Sequence, residues 1–321
     1  MTFLAMKDKP QPIGVLSLNP AVDMSYEIPR LLADQKVHAV ATRFDPGGNG
    51  INVGRALQRL DITAKNYCIT AGEIGRLLKH LLSDQLGEVD FEEVTGETRI
   101  NGTLIESTPR LQYEVSGLGP EIAPAQLNRL LARFVEHSAG GVGVLTGSLQ
   151  QTLSPMLYAG LARDIGERGG RAVVDSHDEA LRYAIDASPF LIKPNRYELE
   201  MLLGRSLKDI VAVAREARTL QLRGVEYVCV SLDGEGALLV GPENSYHAGA
   251  PKVNVLSSVG AGDSMVAALV AAFAVDADPQ TALRLAIACA AGTVCQPGTE
   301  LFSVDDIDLY FDDIVVQNLD I

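Results

Sequence analysis

The segment from Ser258 to Ser264 carries the residues best suited to chemistry on a phosphate. It reads Ser-Val-Gly-Ala-Gly-Asp-Ser and leads into an apolar stretch, Met265–Phe273, that predicts a helix. A glycine-rich turn at a helix N-terminus offers free N–H groups and the positive end of the helix dipole, which suit a phosphate. Asp263 would then be near enough to take a proton from a nucleophile that attacks the bound phosphate. A tight turn with a dipole-favouring aspartate is the plainer interpretation, and the short motif alone leaves both open.

A second glycine-rich segment, Phe44–Arg55, suits a polyol. It reads Phe-Asp-Pro-Gly-Gly-Asn-Gly-Ile-Asn-Val-Gly-Arg, so backbone and amide hydrogen bonds are on offer where a helix begins. The Gly-Lys-Ser/Thr ending of a Walker loop is missing, and the glycine spacing is a poor match to the dinucleotide fingerprint. A loop with a glycine-rich helix cap is the simple alternative.

The third segment, Lys193–Glu198, follows the apolar run Phe190–Ile192, where a strand end would meet a helix start. Lys193 could meet a phosphate as a point charge. Asn195 and Glu198 are three residues apart and would face the same side of a helix. Together they suit a hydrated Mg²⁺, which keeps most of its waters. A capped, exposed helix start is again the plainer alternative.

Apolar runs and helical periodicity alternate along most of the chain and would position these segments. Strands are predicted at Ile13–Leu18, Val142–Leu145, Ala172–Val174, Phe190–Ile192, Tyr227–Ser231 and Ala237–Val240. Apolar spacing predicts helices around Val53–Leu60 and Leu127–Phe134, and Asp278-Pro279 predicts the start of a helix running to about Val294. This alternation predicts a mostly parallel sheet covered on both faces. Ligands bind such sheets beyond the carboxyl ends of the strands.

Two regions, Lys36–Phe44 and Asn101–Val115, break the alternation. Both read as strands without intervening helices, and they could pair into a small separate sheet. The sequence shows no repeat, low-complexity tract or linker rich in proline, glycine and serine. We therefore expect a single α/β domain over residues 1–321, with lid strands drawn from about 15–45 and 90–117.

Composition bears on partners and compartment. The net charge of −14 argues against a nucleic-acid partner, which would need a basic face. No apolar run reaches the roughly 18–20 residues that span a bilayer, and residues 1–10 lack the apolar core of a signal peptide. The four cysteines form no Cys-x-x-Cys pair and are typical of free thiols in a reducing compartment. We therefore expect a cytoplasmic protein with no membrane partner.

Together, four segments resemble those of PfkB carbohydrate kinases, and they occur in the family's order. They are Asn19–Asp23 (Asn-Pro-Ala-Val-Asp), Gly47–Val53, Lys193–Glu198 and Val259–Ser264. The resemblance spans essentially the whole chain. It is strongest for the hexose-phosphate branch, which includes minor bacterial 6-phosphofructokinase, 1-phosphofructokinase and tagatose-6-phosphate kinase. It implies a ribokinase-like three-layer α/β sandwich, with a mostly parallel central sheet and a small β-sheet lid that often mediates dimerisation.

The resemblance also implies roles for individual residues on the sugar side. Asp263 would be the catalytic base, and the anion hole would be formed by the N–H groups of Gly260, Ala261 and Gly262. Arg99 would grip the substrate phosphate, and Lys36 would be a second lid cation. The remaining substrate-binding residues would be Asp23, Gly47, Gly48, Asn49, Asn52 and Ser148.

On the nucleotide side the resemblance implies ATP with Mg²⁺. Asn195 and Glu198 would hold the metal, through water. The ATP-binding residues would be Lys193, Asn195, Ser231, Asp233, Gly234 and Gly236. The segment Thr293–Glu300 is similar to a monovalent-cation loop in some members, and its glutamate leaves K⁺ binding open.

Three departures from the family pattern bear on the substrate. Asn49 stands where many sugar-phosphate members have lysine, and the minor 6-phosphofructokinases share that lack. His38 stands where that subgroup would have arginine. Gln150-Gln151 stand where relatives usually have prolines. These departures concern which hexose phosphate is bound, while the chemistry stays the same.

We therefore expect ATP-dependent phosphorylation of a phosphorylated ketohexose by a homodimer that pairs through its lid. Fructose 6-phosphate leads, with fructose 1,6-bisphosphate as product; tagatose 6-phosphate and fructose 1-phosphate are the alternatives. A kinase for an unphosphorylated sugar or nucleoside would need neither Arg99 nor Lys36. A non-catalytic sugar-phosphate sensor would be free to lose Asp263 and its anion hole.

Overall fold

The computed structural model describes residues 11–321. The strands of its large sheet are β1 (Ile13–Ser17), β4 (Lys65–Ala71), β5 (Glu88–Val94), β8 (Val142–Thr146), β9 (Arg171–Asp175), β10 (Leu191–Ile192), β11 (Tyr227–Ser231), β12 (Ala237–Val240), β13 (Ser245–Ala248) and β14 (Val316–Asn318). The strands of its small sheet are β2 (Ala21–Ile28), β3 (Ala41–Gly47), β6 (Arg99–Ser107) and β7 (Arg110–Val115).

The helices run between these strands. They are α1 (Asn49–Arg59), α2 (Gly72–Leu82), α3 (Pro124–Ser138), α4 (Leu157–Glu167), α5 (Asp178–Ile185), α6 (Arg196–Leu203), α7 (Ile210–Leu222), α8 (Ala261–Ala274), α9 (Pro279–Val294) and α10 (Val304–Tyr310).

The large sheet has the strand order β14-β13-β12-β11-β10-β9-β8-β1-β4-β5. Pairing is parallel from β5 to β11 and antiparallel from β11 to β14. Strands β1 and β8 are buried along their whole length, as expected for parallel strands with helices on both faces. One face packs against α1, α8 and α9, and the other against α3, α4, α5 and α7. The expected three-layer fold with a mostly parallel sheet is confirmed.

The small sheet leaves the carboxyl edge of the large one. Its order is β3-β2-β6-β7, with β2 and β6 parallel and the outer pairs antiparallel. Strand β2 begins four residues after β1 ends, and β6 begins five residues after β5 ends. Strand β3 runs directly into the start of α1. The small sheet therefore stands over the edge where a parallel sheet binds its ligands.

Most predicted elements are found, and the differences have simple causes. Helix α9 has Asp278 as its N-cap, with the carboxylate accepting from the N–H groups of Gln280 and Thr281. The prediction that Lys36–Phe44 is a strand is wrong for residues 36–40. Pairing between β2 and β3 starts at Glu27 with Ala41. The Val40 N–H adds one bond to the Glu27 carbonyl at 2.8 Å, and residues 36–39 lie in the loop before it. Within residues 11–321, no helix is long and apolar enough to cross a membrane.

Candidate active site

A cavity of about 480 Å³ lies between the small sheet and the carboxyl edge of the large sheet. The small sheet contributes Asp23, Arg99 and Asn101. The start of α1 contributes Gly48, Asn49 and Asn52. The large-sheet loops and helices contribute Gly147, Ser148, Asp175, Ser176, His177, Glu198, Gly260 and Asp263, and Ser116 and Val259 complete the lining. Three segments far apart in sequence therefore meet in one cavity.

Asp263 enters this cavity from the first turn of α8. Its neighbour Gly260 is the N-cap and adopts a φ of 81°, a left-handed conformation that glycine takes without strain. The N-cap makes no side-chain hydrogen bond to the helix. The Ala261 N–H donates to the Ser258 carbonyl at 3.4 Å, a long bond that an anion at the helix N-terminus could replace. Asp263 is 5% exposed. The turn predicted to be an anion hole thus lies at the cavity beside Asp263, and its role stays a prediction.

Two asparagines of α1 hold the Asp263 carboxylate. Asn49 Nδ2 donates to Asp263 Oδ1 at 2.9 Å, and Asn52 Nδ2 donates to Oδ2 at 2.9 Å. Burial, together with the nearby charge of Asp175, raises the pKa of Asp263 to about 7, while the two amides and Lys193 act in the opposite direction. A carboxyl group with such a pKa is suited to proton transfer near neutral pH. Sequence reasoning placed both asparagines on the sugar and missed this contact.

Asp175 ends β9 beside this group and was also missed. Its carboxylate accepts from Thr146 Oγ1 at 3.2 Å and pairs with Lys193 Nζ at 3.2 Å. Lys193 is buried and points at the α8 turn, because a Cβ built on Gly262 would lie 3.4 Å from its Nζ. Asp175 directly follows the apolar run Ala172–Val174 and so stands at the carboxyl end of a predicted strand. This position is the signal by which the sequence could have identified it.

Asn195 and Glu198 form a capping box at the start of α6. Glu198 N–H donates to Asn195 Oδ1 at 2.8 Å, and Asn195 N–H donates to Glu198 Oε2 at 2.8 Å. Glu198 also lines the cavity, and burial raises the pKa of its carboxyl group. Helix capping therefore accounts for the spacing of the two residues, and it leaves Glu198 at the cavity wall.

The small-sheet wall has a different chemistry. Asp23 accepts from Asn101 Nδ2 at 2.7 Å, and burial raises its pKa. Arg99 is half-buried, and its Nε has no hydrogen-bond partner among the described residues. Burial lowers the pKa of Arg99, although nearby Asp23 raises it. Gly47 lets β3 lie close to the Asp23 carboxylate of β2, because a Cβ at residue 47 would be 2.2 Å from that carboxylate.

Several residues predicted for the site lie outside the cavity lining. Lys36 is exposed in the loop between β2 and β3. Ser231 ends β11 beside Asn195, with which it forms a bridge. The turn after it holds Asp233, Gly234 and Gly236, and the φ of 89° at Gly236 brings it against the Ala248 carbonyl. The roles predicted for these residues, like those of the residues that line the cavity, stay predictions.

Glu300, in the segment compared with a monovalent-cation loop, is held by arginines. Its carboxylate accepts from Arg43 Nη2 at 3.0 Å and from Arg59 Nη2 at 2.9 Å. These arginines lower the pKa of Glu300. Its charge is thus already balanced by two guanidinium groups.

Comparison with known proteins shows the family of this chain. Residues 15–306 match the model of the pfkB family carbohydrate kinases. The chain belongs to the pfkB family. It is 33% identical over 292 residues to 1-phosphofructokinase of Bacillus subtilis, covering 90% of this chain and 95% of that protein. It is 32% identical over 296 residues to ATP-dependent 6-phosphofructokinase isozyme 2 of Escherichia coli, covering 92% of this chain and 96% of that protein. The pfkB chain is therefore a sugar-phosphate kinase, which transfers phosphate to a hydroxyl group.

The solved structures agree with this assignment. Phosphofructokinase-2 of Escherichia coli in complex with substrates and products superposes with a TM-score of 0.90 at 31% identity, covering 94% of this chain and 99% of that one. The same enzyme is also known in complex with potassium, with a TM-score of 0.89, and as a tetrameric inhibited form, with a TM-score of 0.88. The pfkB kinase fold thus extends over nearly the whole chain.

Proposed function

We propose that this kinase makes fructose 1,6-bisphosphate from ATP and a fructose monophosphate, with fructose 6-phosphate as the preferred acceptor. The observation that carries the proposal is Arg99, which lines the same cavity as Asp263 and whose buried Nε has no hydrogen-bond partner within residues 11–321. A guanidinium matches phosphate oxygens through paired N–H groups. An unphosphorylated sugar would offer the Arg99 guanidinium no anion to bind beyond the nearby carboxylate of Asp23.

Asp263 would act as the general base. In its carboxylate form it accepts from Asn49 and Asn52, and it would take the proton of the sugar hydroxyl as that oxygen attacks the γ-phosphorus of ATP in line. The bond between the γ-phosphorus and the β,γ-bridging oxygen would break at the same time, and ADP would leave. The N–H groups of Gly260, Ala261 and Gly262 would hold the phosphate oxygens as charge develops on them. Asp23 and Asn101, already bonded to each other at 2.7 Å, would orient the sugar through its hydroxyl groups.

The charges of the cavity fit Mg²⁺ carried with ATP. One wall of the cavity carries three carboxyl groups, those of Asp175, Glu198 and Asp263. Lys193 forms an ion pair with the first of them, Asp175. Within residues 11–321, no group of three or more His, Cys, Asp or Glu residues could hold a metal by itself. Glu198, with Asn195 beside it, would therefore contact the ion through water. When bound, the ion would supply positive charge that offsets the negative charge of the phosphate groups.

The nucleotide would lie along the ends of β10 and β11. Lys193 and Asn195 follow β10, and Ser231 ends the neighbouring strand. We propose that the turn formed by Asp233, Gly234 and Gly236 contacts ATP next to them. The ion pair between Arg196 and Glu235, at 2.7 Å, fixes this turn to the start of α6.

Fructose 1-phosphate is the second candidate acceptor. The relatives named 1-phosphofructokinase favour it, whereas the lack of a lysine at Asn49 and the likeness to phosphofructokinase-2 favour fructose 6-phosphate. Phosphate transfer to either sugar yields the same bisphosphate. A shift of about an ångström in how the sugar is held would decide between them.

A coupled assay of ADP release tests the proposal. The panel is fructose 6-phosphate, fructose 1-phosphate, tagatose 6-phosphate and unphosphorylated fructose, each with saturating ATP and Mg²⁺. The expected result is the highest kcat/KM on fructose 6-phosphate. A higher value on fructose 1-phosphate would move the assignment to the second candidate, and a higher value on fructose would overturn it. Omitting or adding K⁺ in the same assay tests whether a monovalent cation is required.

The small sheet would also pair two copies in the cytoplasm. Its apolar side chains Leu111, Tyr113 and Val115 are exposed, which supports a homodimer through this sheet. Lys36, exposed in the loop between β2 and β3, would be a second cation for the substrate phosphate. Light scattering of the purified protein would give the mass of two chains, and a single-chain mass would contradict the proposal.

A further inference from the structure

The carboxamide of Asn52 is held from both sides. Its Nδ2 donates to Asp263 Oδ2 at 2.9 Å, and its Oδ1 accepts from Arg55 Nη1 at 3.3 Å. A guanidinium only donates hydrogen bonds, whereas a carboxamide turned by 180° would exchange its oxygen and its NH₂ group. With Arg55 in place, the oxygen of Asn52 must face the guanidinium. The NH₂ group is thereby directed at Asp263.

Arg55 is itself fixed by contacts away from the cavity. It follows Asn52 by one turn of α1, is 3% exposed, and donates from Nη1 to the Thr299 carbonyl at 3.1 Å. It does not line the cavity that contains Asp263. Arg55 therefore lies on the far side of Asn52 from Asp263. It can act on the Asp263 carboxylate only by way of its hydrogen bond to Asn52.

Two arginines and two carboxylates surround Arg55 and largely balance each other's charge. Burial and the neighbouring Arg59 and Arg43 lower its pKa to about 10, while Glu300 and Asp45 act in the opposite direction. A pKa of about 10 keeps the guanidinium charged at neutral pH. Arg55 therefore remains a donor to Asn52 throughout the range in which the kinase would work.

We propose that Arg55 is a positioning residue, which locks the Asn52 carboxamide with its NH₂ group toward Asp263 and so keeps the general base in its carboxylate form. The inference rests on the proposed role of Asp263 as that base. Without Arg55, Asn52 can turn its oxygen to Asp263, and an oxygen facing a carboxyl group is satisfied when that group carries a proton. The other groups facing Asp263, namely Asn49, Asp175 and Lys193, stay in place.

The pH profile of kcat/KM in Arg55→Met tests this inference. Losing one donor to the carboxylate should move the acid limb upward by about one pH unit. Above that limb, kcat/KM should approach the parent value, because protonation and not binding has changed. A limb within 0.3 units of the parent's in a folded variant, or an equal loss of activity at every pH, would overturn the proposal. Should Arg55→Met fail to fold, Arg55→Gln replaces it, because its amide is two bonds too short to reach Asn52.

Arg59→Met is the matched control. Arg59 lies one turn further along α1 and donates to Glu300 and to the carbonyls of Leu301 and Phe302, and no bond joins it to Asn52. We expect its acid limb to coincide with that of the parent. An equal shift in Arg59→Met would assign the effect to loss of charge or of the C-terminal loop and would overturn the role of Arg55.

A double variant separates the amide from the charge. Asn52→Ala alone should raise the acid limb, and adding Arg55→Met to it should raise the limb no further. A second full shift would mean that Arg55 acts without Asn52, which contradicts the inference.

Direct titration makes the test independent of turnover. The carboxyl ¹³C signal of labelled Asp263, assigned by its loss in Asp263→Asn, should titrate about one pH unit higher in Arg55→Met than in the parent. This measurement holds even if no fructose phosphate is an acceptor, so failure of the proposed function and failure of the positioning role give different results.

Discussion

The two walls of the cavity differ in charge and in how their polar groups are satisfied. The large-sheet wall, formed by Asp175, Glu198 and Asp263, carries three carboxyl groups and the paired cation Lys193. The small-sheet wall, formed by Asp23, Arg99 and Asn101, carries one carboxylate and an arginine whose Nε has no partner among the described residues. An acidic wall suits a nucleotide that brings its own metal ion, and a wall with a half-buried arginine suits an anionic sugar.

The difference also shows which wall is built for proton transfer. Both Asp23 and Asp263 have a raised pKa from burial, but that of Asp263 reaches about 7. Asp23 lies near the charge of Arg99, whereas Asp263 lies near the like charge of Asp175. Asp263, on the large-sheet wall, is therefore the better base of the two.

The largest expected effect comes from removing the base. Asp263→Asn should lower kcat by about 10²–10⁴-fold, the usual contribution of a positioned general base. The KM values for ATP and the sugar phosphate should change far less, because the cavity keeps its shape. Steady-state ADP release measures this, and circular dichroism confirms folding. A loss of less than tenfold in a folded variant would show that Asp263 is not the base.

The pH dependence should follow from the same group. Because Asp263 must be deprotonated to act and its pKa is about 7, kcat/KM should fall about tenfold per pH unit below that pKa. An ordinary aspartate would give a flat profile down to about pH 5. The profile from pH 5 to 9 with fructose 6-phosphate checks this. A profile that is level between pH 5 and 7 would contradict a raised pKa for Asp263.

A smaller effect is expected at Glu198. Glu198→Gln should raise the Mg²⁺ concentration for half-maximal rate severalfold, since a neutral amide attracts the hydrated ion less. Glutamine retains the capping box with Asn195, so α6 should be kept. Glu200→Gln is the matched control on the same helix, where Glu200 accepts from the Leu207 N–H. A Mg²⁺ titration identical to that of the parent would move the metal contact elsewhere.

Local features of the fold could be predicted from the sequence, and contacts between distant segments could not. The cap at Asp278 and the helix to Val294 follow from residues next to each other in the chain. The bonds from Asn49 and Asn52 to Asp263 join residues more than 200 positions apart. Those asparagines offer amides that suit a sugar or a carboxylate equally well. Which partner they meet depends on how α1 packs against α8.

The small sheet illustrates the same limit. The strands without helices between them predict this sheet, and the predicted lid span of residues 15–45 includes β2 without naming it as a strand. The alternation of apolar and polar residues in Ala21–Ile28 is the signal that would have identified it. Its parallel pairing with β6, which lies more than 70 residues further along the chain, could not be predicted from local pattern. The capping box between Asn195 and Glu198 was foreseen as the plain alternative to a metal site. The sequence could not tell that Glu198 caps its helix and lines the cavity at once.

Arg99→Ala tests most directly the claim that the small-sheet wall holds the phosphate of the sugar. Hydrogen bonds to charged groups are worth about 1.5–3 kcal/mol each, so KM for fructose 6-phosphate should rise about 10- to 150-fold. The KM for ATP, and the residual rate on unphosphorylated fructose, should stay within about twofold of the parent by this reasoning. A KM for fructose 6-phosphate that stays within twofold, or a KM for ATP that rises more than the sugar's, would contradict the account.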